Sequence, residues 1–208
     1  VELSFIDSVE ELLEEEEKMI RSMFKEIVDK YGYEIKKLYN QNVVIPTIPF
    51  PRISFLEAKE VLKDRGVIGE KEEDLSPEEE REIGKYIKEK YSHEFIFIYD
   101  YPTSSRAFYS MKYEKRPRYC KSFDLLYKGL EITSGAIREH KYETLKSQII
   151  EKGYNTQDFK SYLEFFKYGC PPHGGFAPGP TRILMQLFEL KNVREVTYLY
   201  RGVKRLNP

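Results

Sequence analysis

Cysteine, tryptophan and long apolar runs are scarce or missing in this chain of 208 residues. There is no tryptophan, and the two cysteines, Cys120 and Cys170, lie far apart without a Cys-x-x-Cys pattern. This spacing indicates neither a disulfide framework nor a zinc site, so we expect two reduced thiols. No stretch approaches the roughly 18 apolar residues of a membrane-spanning helix, and no basic segment followed by an apolar run opens the chain. We therefore expect a cytoplasmic protein without a membrane segment.

An excess of charge of one sign is also lacking. The formal net charge is −1 although 33% of the residues are charged, so basic and acidic side chains are mixed. Such a balance disfavours a dedicated nucleic-acid-binding domain. The length of 208 residues and the hydrophobic fraction of 40% predict one globular domain with a full core.

The first residues indicate that the chain continues upstream. The sequence starts at Val1, and Glu2 to Asp7 has the apolar pattern of a strand that requires neighbouring strands. We therefore expect a further segment of the same domain before Val1.

Residues 1–93 are predicted to be mainly helical. A capping-box pattern at Ser8 begins a long amphipathic helix, which the spacing of apolar residues extends to Gly32. A second capping box at Ser54 begins a helix that closes near Gly66, and a Ser-Pro pair at Ser76 begins a third. The prolines between the first two helices predict an extended connector.

An acidic run, Glu14–Glu17, lies near the start of the first helix. Negative charge near a helix N-terminus interacts favourably with the helix dipole. We therefore expect these four side chains on the solvated face of the helix.

After residue 93 the composition changes to aromatic and β-branched residues separated by turn signals, which predicts antiparallel strands. The predicted strands are 95–99, 107–111 and the 122–134 region, and the predicted helices that follow are 141–152, 156–167 and 180–190. The expected fold is α+β, with helices packed against one antiparallel sheet.

The 122–134 region concentrates polar chemistry in an apolar setting. If Lys128-Gly129 is the turn of a hairpin, Leu126 lies opposite Glu131 and Asp124 lies opposite Thr133. Asp124 and Glu131 then share one face as diagonal neighbours. Two carboxylates at that separation can hold a hard divalent cation that also bridges phosphate groups. The alternative is that both acids belong to the exposed face of a half-buried sheet.

Two further polar residues, Ser134 and Arg138, follow on the second strand. Strict alternation places them out of phase with Glu131, so their joining the same site requires a local break, which Gly135 could supply as a bulge. The guanidinium of Arg138 can hold a carboxylate through two parallel hydrogen bonds. The alternative is a structural ion pair of Arg138 with Glu139 or another acid.

Residues 168–182 are rich in glycine and proline and lead into an apolar helix. A glycine-rich loop before a helix lets a ligand approach the backbone, and Arg182 in the first turn adds a positive charge suited to a polyphosphate. The alternative is a purely structural helix start, for which Pro180 at an early helical position is sufficient.

The pattern Phe123-Asp-x-x-x-x-Gly-x-Glu-Ile-x-Ser-Gly-x-x-Arg138 resembles the catalytic hairpin of class II aspartyl-tRNA synthetases of the archaeal and eukaryotic type. Residues 168–182 are similar to motif 3 of the same family. The resemblance implies a class II aminoacyl-tRNA synthetase-like antiparallel sheet flanked by helices, with residues 1–208 as the C-terminal portion of a single catalytic domain. Motif 1, motif 2 and the anticodon-binding domain would precede Val1.

The resemblance also implies roles for the matching residues. Asp124, Glu131 and Ser134 would bind Mg²⁺, Ser134 and Arg138 would bind the amino acid, and Arg138 would contact the aspartate side chain. Arg182 would act in catalysis by contacting the phosphates of ATP. The implied ATP-binding residues are Glu131, Gly179, Pro180, Thr181 and Arg182.

The implied reaction is ATP-dependent activation of L-aspartate to aspartyl-adenylate, followed by transfer to tRNA. The protein would form a homodimer if the upstream interface is present. Two alternatives stay open: a tRNA-independent paralogue that forms asparagine, and a non-catalytic paralogue that binds an amino acid or a partner. The second is supported by Ala177, Pro178 and Thr181, where the chain departs from the usual motif 3 pattern, and by the motifs absent from residues 1–208. The segment Leu199–Gly202 also departs from the family pattern.

Overall fold

The computed structural model describes residues 1–6, 8–205 and 207. Two short 3-10 turns, Thr103–Ser105 and Val193–Val196, accompany the longer elements. In chain order these elements are β1 (Glu2–Ser4), α1 (Val9–Tyr39), β2 (Arg52–Ser54), α2 (Phe55–Asp64), α3 (Pro77–Tyr91), β3 (Phe95–Tyr99), β4 (Ser122–Tyr127), β5 (Leu130–Arg138), α4 (Tyr142–Glu151), α5 (Lys160–Lys167), β6 (His173–Pro178) and α6 (Pro180–Leu187).

The six strands form one sheet in the order β1-β6-β5-β4-β3-β2. Neighbouring strands are antiparallel except β2 and β3, which are parallel. A parallel pair needs a crossover connection, and α2 and α3 lie between β2 and β3 in the chain. The predicted α+β architecture is confirmed, but the sheet is mixed rather than wholly antiparallel.

Helices cover both faces of the sheet. Helix α1 packs Leu12 and Phe24 against Phe95, Phe123 and other core residues of one face. Helices α2 and α3 form a second cluster with β3 and β4 on the opposite face, which includes Leu126. Farther along that second face, Ser134 of β5 is exposed. The face of the hairpin β4–β5 that α1 covers, the rear face, is therefore buried. The opposite face, the front face, is partly open.

The first helix is longer than predicted. Capping boxes at Ser8, Ser54 and Ser76 begin α1, α2 and α3, which confirms the predicted starts. Helix α1, however, continues through Gly32 to Tyr39 and ends on a left-handed Asn40 with φ of 57°. A glycine inside a helix costs only about 1 kcal/mol, and burial of Ile35 in the core beyond it offsets that cost.

The expected solvation of Glu14–Glu17 is wrong for two of the four residues. Glu16 and Glu17 are 0% and 3% exposed. Glu17 accepts a hydrogen bond from the backbone N–H of Phe50 at 3.0 Å and pairs with Arg52 at 2.9 Å. The four-residue run spans a full helical turn, so it cannot lie on one face, and its second half points into the core.

Two segments differ in kind from the prediction. Residues 107–111 form turns and an isolated bridge from Ser110 to Arg138 instead of a strand. Within the predicted loop 168–182, His173–Pro178 forms strand β6 between β1 and β5. Gly174 permits this pairing, because a Cβ there would lie 2.8 Å from the carbonyl oxygen of Ala136. Repeated glycine and proline indicated a loop, but this segment contains a strand of the central sheet.

The remaining boundaries shift by a few residues. The helices predicted at 141–152, 156–167 and 180–190 exist as the shorter α4, α5 and α6. The first strand covers Glu2–Ser4 of the predicted range, whose last residue, Asp7, lies outside the described residues, as do Leu206 and Pro208 at the other end. Within the described part of the chain, no helix is long and apolar enough to cross a membrane.

Candidate active site

The hairpin β4–β5 contains a bulge that aligns its polar side chains. Leu126 lies opposite Glu131 as predicted, but Asp124 lies opposite Ser134, not Thr133. The register shifts between Leu125 and Leu126, which leaves Ile132 as an extra residue on β5. The predicted break therefore exists, but it lies at Ile132, three residues before Gly135.

The bulge changes which residues share a face. With one extra residue after Glu131, the alternation of β5 restarts so that Ser134 and Arg138 point to the same side as Asp124 and Glu131. Gly135 has a different role from the predicted one. A Cβ at this position would lie 2.3 Å from the ring of Phe123, so glycine is required where that ring packs across the strand.

Arg106 enters this face from the irregular segment before β4. Its Nη1 donates to Asp124 Oδ1 at 2.8 Å and its Nη2 donates to Asp124 Oδ2 at 2.5 Å. Nη1 also donates to the hydroxyl of Ser134 at 3.1 Å, and the guanidinium stacks 3.6 Å from the ring centre of Tyr101. Arg106 thus links two of the predicted site residues, and no spacing rule in the sequence points to it.

Glu131 lies between Arg182 and Glu80. Arg182 Nη1 donates to the backbone carbonyl of Glu131 at 2.7 Å and lies 3.3 Å from its Oε1. Glu80 Oε2 accepts the backbone N–H of Glu131 at 2.9 Å, next to the bulge. Burial raises the pKa of Glu131, and the charge of Asp124 raises it further. Burial and the neighbouring carboxylate of Asp124 therefore disfavour the ionised form of Glu131.

Glu80 belongs to α3, which packs directly on the hairpin turn. The turn residue Gly129 has φ of +74°, and a Cβ there would lie 2.8 Å from Cα of Arg81, so only glycine allows this approach. Burial raises the pKa of Glu80 to about 7, and the hydrogen bond from Glu131 only partly offsets that effect. Sequence reasoning missed Glu80, which lies within an acidic run that suits a helix start.

Glu80→Ala is expected to lower the free energy of unfolding by about 1–3 kcal/mol, because it leaves the Glu131 N–H at the bulge without an acceptor. Glu80→Gln keeps an acceptor and should retain most of that stability. Urea denaturation at pH 7 measures both variants. Glu78→Ala, at an exposed position on the same turn, is the control, and equal losses for the alanine and glutamine variants of Glu80 would contradict the assignment.

The segment 179–182 also reaches the bulge. The N–H of Gly179 donates to the carbonyl of Ile132 at 2.7 Å, and Pro180 and Thr181 begin α6. The next residue, Arg182, contacts Glu131 as described above. Of the predicted ATP-binding residues, Arg182 therefore contacts Glu131 and Gly179 bonds to the neighbouring Ile132, while Pro180 is exposed.

Arg138 lies farther along the same face, at a cavity of about 570 Å³. Its Nε and Nη2 donate to the carboxylate of Glu2 at 3.1 and 3.3 Å, and its guanidinium lies 5.1 Å from the ring centre of Tyr109. Arg138 thus holds a carboxylate with two donors. Its partner is Glu2 rather than Glu139, which matches the alternative of a structural ion pair with another acid. The cavity is lined by Glu2, Phe108, Tyr109, Arg138, Phe159, Tyr162, Phe166 and His173.

A divalent cation on this face would need several converging oxygen donors. Among the described residues, no group of three His, Cys, Asp or Glu side chains is arranged to hold a metal ion. Glu131, with its raised pKa, and the exposed hydroxyl of Ser134 are hard oxygen donors, which suits a Mg²⁺ ion that takes its other ligands from phosphates and water. Both oxygens of Asp124 are engaged by Arg106, so a direct bond from Asp124 to a metal requires that pair to open.

Relatives of the chain carry synthetase names. An aspartate–tRNA(Asp) ligase of Pyrococcus furiosus is 42% identical over 207 residues, a match that covers 100% of this chain and 47% of that protein. An aspartate–tRNA(Asp/Asn) ligase of Aeropyrum pernix is 39% identical over 212 residues, covering 100% of this chain and 47% of that protein. The chain therefore spans about half the length of the curated relatives it matches.

Solved structures share the fold. The aspartyl-tRNA synthetase of Entamoeba histolytica matches with a TM-score of 0.93 and 34% identity, over 100% of this chain and 43% of that one. The asparaginyl-tRNA synthetase of the same organism, in complex with asparaginyl-adenylate, matches with a TM-score of 0.89 and 31% identity, over 100% of this chain and 47% of that one. Both agree with the predicted class II catalytic fold. The model of the family described as tRNA synthetases class II (D, K and N) matches residues 1–201, and this chain belongs to that family.

Proposed function

We propose that the protein containing this chain is an aspartate–tRNA ligase, which activates L-aspartate with ATP and transfers the aspartyl group to tRNA. Residues 1–208 would supply the C-terminal portion of its single catalytic domain. The observation that carries the proposal is the bulged hairpin, which aligns Asp124, Glu131, Ser134 and Arg138 on one face. The names of the curated relatives support the same reaction.

The proposed chemistry begins with attack of the aspartate α-carboxylate on the α-phosphorus of ATP. The new bond from carboxylate oxygen to phosphorus forms as the bond to the pyrophosphate oxygen breaks, and pyrophosphate leaves with the electron pair. The protein contributes positioning and electrostatic stabilisation rather than a covalent intermediate. Arg182, at the first turn of α6 beside Glu131, would bind the phosphates and stabilise the charge that develops on them.

Glu131 and Ser134 would hold Mg²⁺, which when bound offsets the negative charge of the phosphates. Asp124 would act on the same face, with Arg106 fixing the orientation of its carboxylate. Arg106 also donates to Ser134, so it would hold the serine hydroxyl beside Asp124. These assignments account for every polar side chain on the front face of the hairpin near the bulge.

Arg138 would select aspartate over asparagine. A carboxylate can accept from two guanidinium donors at once, whereas the amide of asparagine would turn its own N–H₂ towards one of them. The present pair of Arg138 with Glu2 has the two-donor geometry that an aspartate side chain would need. The substrate would bind in the adjoining aromatic cavity and share or displace that contact.

Arg138→Ala in the intact protein is the test of this proposal. We expect aspartate-dependent ATP–pyrophosphate exchange to fall at least about a hundredfold, which corresponds to about 2.7 kcal/mol of lost transition-state stabilisation, with an unchanged circular dichroism spectrum. Arg138→Lys keeps the charge but loses the two-donor geometry and should recover only part of the rate. Arg21→Ala, at an exposed position of α1, is the matched control.

Two outcomes would overturn the assignment. Unchanged exchange in Arg138→Ala would remove Arg138 from substrate selection. Faster exchange with asparagine than with aspartate in the unmodified protein would replace the aspartate reaction by the asparagine reaction named for the structural relative.

A non-catalytic paralogue is the second candidate, and the Arg106–Asp124 pair favours it. A carboxylate with both oxygens engaged by a guanidinium is not free to coordinate a metal. The altered segment with Ala177, Pro178 and Thr181 points in the same direction. Saturable binding of aspartate without pyrophosphate exchange would identify this candidate. Exchange followed by amide formation from ammonia would instead identify the asparagine-forming alternative.

A further inference from the structure

A basic groove lies beyond the C-terminal end of β5, outside the site described above. We propose that this groove binds the phosphate backbone of tRNA, an inference that rests on the proposed function for the identity of its partner. The groove has a volume of about 510 Å³. It is lined by Met111, Lys112, Tyr113, Glu114, Lys115, Arg116, Lys121, Glu139, His140 and Lys141.

The groove is built on a folded loop, residues 111–121, that is fixed to the sheet. Lys112 and Cys120 form an isolated antiparallel β-bridge, and the N–H of Lys121 donates to the carbonyl of Met111 at 2.8 Å. Ile137 of β5 accepts from the N–H of Met111 at 2.9 Å and donates to the carbonyl of Lys121 at 2.8 Å. The loop thus extends the central sheet, and its cations are held on a rigid support.

The charge of the groove departs from that of the whole chain. Five lysine and arginine side chains line it against two carboxylates, while the full chain has a net charge of −1. One of these carboxylates, Glu139, is 5% exposed and accepts the N–H of Lys141 at 2.9 Å. Composition argues against a dedicated nucleic-acid-binding domain, but it does not report a local concentration of charge such as this one.

Lys112 is paired with Glu151, which lies outside the groove, but the other four cations are available to a ligand. Lys115, Lys121 and Lys141 form no ion pair with any described residue, so each can meet a phosphate without losing a partner. Arg116 donates to Asp100 at 2.8 Å, yet its side chain is 52% exposed. The pair with Asp100 fixes Arg116 at the rim and leaves donors free.

An aromatic side chain lies among the cations. The guanidinium of Arg116 is 4.6 Å and the ammonium of Lys121 is 5.9 Å from the ring centre of Tyr113, whose hydroxyl donates to Asp100. Cations that alternate with aromatic rings fit a nucleic acid, because phosphates pair with the cations and bases or riboses pack on the rings. A concave, charged surface of this kind suits an RNA backbone better than a flat lipid surface.

The groove follows the cavity at Arg138 along the chain but shares no lining residue with it. Glu139, in the groove, directly follows Arg138, while Met111 packs with the core residues of the face that α1 covers. The groove therefore lies towards the α1 side of the sheet, and the cations around Tyr113 are what favour tRNA as its partner.

The double charge reversal Lys115→Glu/Lys121→Glu in the full-length protein tests the inference. We expect tRNA affinity, measured by fluorescence anisotropy, to fall at least about tenfold, and the slope of log affinity against log salt to decrease by about 1–2, because each phosphate contact contributes about one unit. Aspartate-dependent pyrophosphate exchange without tRNA should stay within about twofold, since neither lysine belongs to the candidate active site. Lys37→Glu/Lys63→Glu, with two exposed lysines elsewhere, is a control with the same change in net charge.

The possible results separate the inference from the proposed function. Unchanged tRNA affinity, an unchanged salt slope, or an equal loss in the control would overturn the groove assignment. Loss of binding to anionic vesicles with tRNA affinity retained would also overturn it, in favour of a membrane surface. Absence of pyrophosphate exchange in the unmodified protein would refute the proposed function, while its tRNA titration would still decide the groove. If the charge reversal prevents folding, Lys115→Gln/Lys121→Gln provides the same comparison.

Discussion

Arg106→Met is expected to lower the free energy of unfolding by about 3–5 kcal/mol, the usual cost of leaving one partner of a buried ion pair alone. The side chains of Arg106 and Asp124 are 14% and 6% exposed, so water screens the pair weakly. Methionine preserves much of the volume of arginine but leaves both oxygens of Asp124 without the donors they have now. Urea denaturation monitored by circular dichroism measures the change.

A double variant separates the charge of this pair from its packing. Arg106→Met/Asp124→Asn removes both charges and should recover a large part of the loss, because no uncompensated buried charge remains. Lys18→Met breaks the exposed Lys18–Glu15 pair and should change stability by about 1 kcal/mol or less. A cost below about 1 kcal/mol for Arg106→Met would show that Asp124 is compensated in another way.

The polar residues of the hairpin could be selected from sequence, but their arrangement could not. Alternation assigns a side chain to a face only as long as the register holds, and the bulge at Ile132 reverses the assignment for every later residue of β5. The motif indicated that Glu131, Ser134 and Arg138 act together, which requires such a break. Its position depends on contacts with α3 and with Glu80, which no local pattern encodes.

Contacts from distant segments were the hardest to predict. Arg106 lies in an irregular stretch, and its partner is 18 residues away on β4. Strand β6 was predicted as a loop because it contains glycine and proline, which usually mark loops. Glycine is needed there for the close approach of neighbouring backbone. The capping boxes at Ser8 and Ser54, in contrast, depend on residues three positions apart and were predicted correctly.

The burial of Glu16 could have been predicted from the sequence. Leu13, Glu16, Glu17 and Ile20 lie three or four positions apart, which is the spacing of one helical stripe. The rule that acids near a helix start are solvated led instead to the wrong prediction that Glu16 is exposed. Here the periodicity of the apolar neighbours is the stronger signal, since it determines which face meets the sheet.

Glu16→Gln is expected to stabilise the protein at neutral and alkaline pH. Glu16 is 0% exposed, and neither carboxylate oxygen has a hydrogen-bond partner among the described residues. Burial raises its pKa to about 8, and the charge of Asp124 contributes to the increase; the hydroxyl of Thr133 lies near but forms no hydrogen bond with the carboxyl. Because Thr133 adjoins Ser134, a charge on Glu16 would lie directly behind the candidate active site.

The pH dependence follows from the direction of this shift. The pKa of Glu16 is about 8 in the folded protein, against the ordinary value of 4.5, so folding favours the protonated form. Its contribution to stability is complete below about pH 4.5 and is lost as the pH rises through about 8, by about 4–5 kcal/mol in total. Glutamine does not titrate, so the advantage of Glu16→Gln over the unmodified protein should grow by that amount between pH 4.5 and pH 9.

Denaturation curves of both proteins at several pH values check this expectation, and only their difference matters, because other titrating groups are common to both. Glu14→Gln, at an exposed position two residues earlier in the same acidic run, should show a small difference that does not vary with pH. If the difference for Glu16→Gln were equally independent of pH, Glu16 would have to be ionised and compensated in the folded protein. The carboxyl would then be a fixed negative charge behind Thr133.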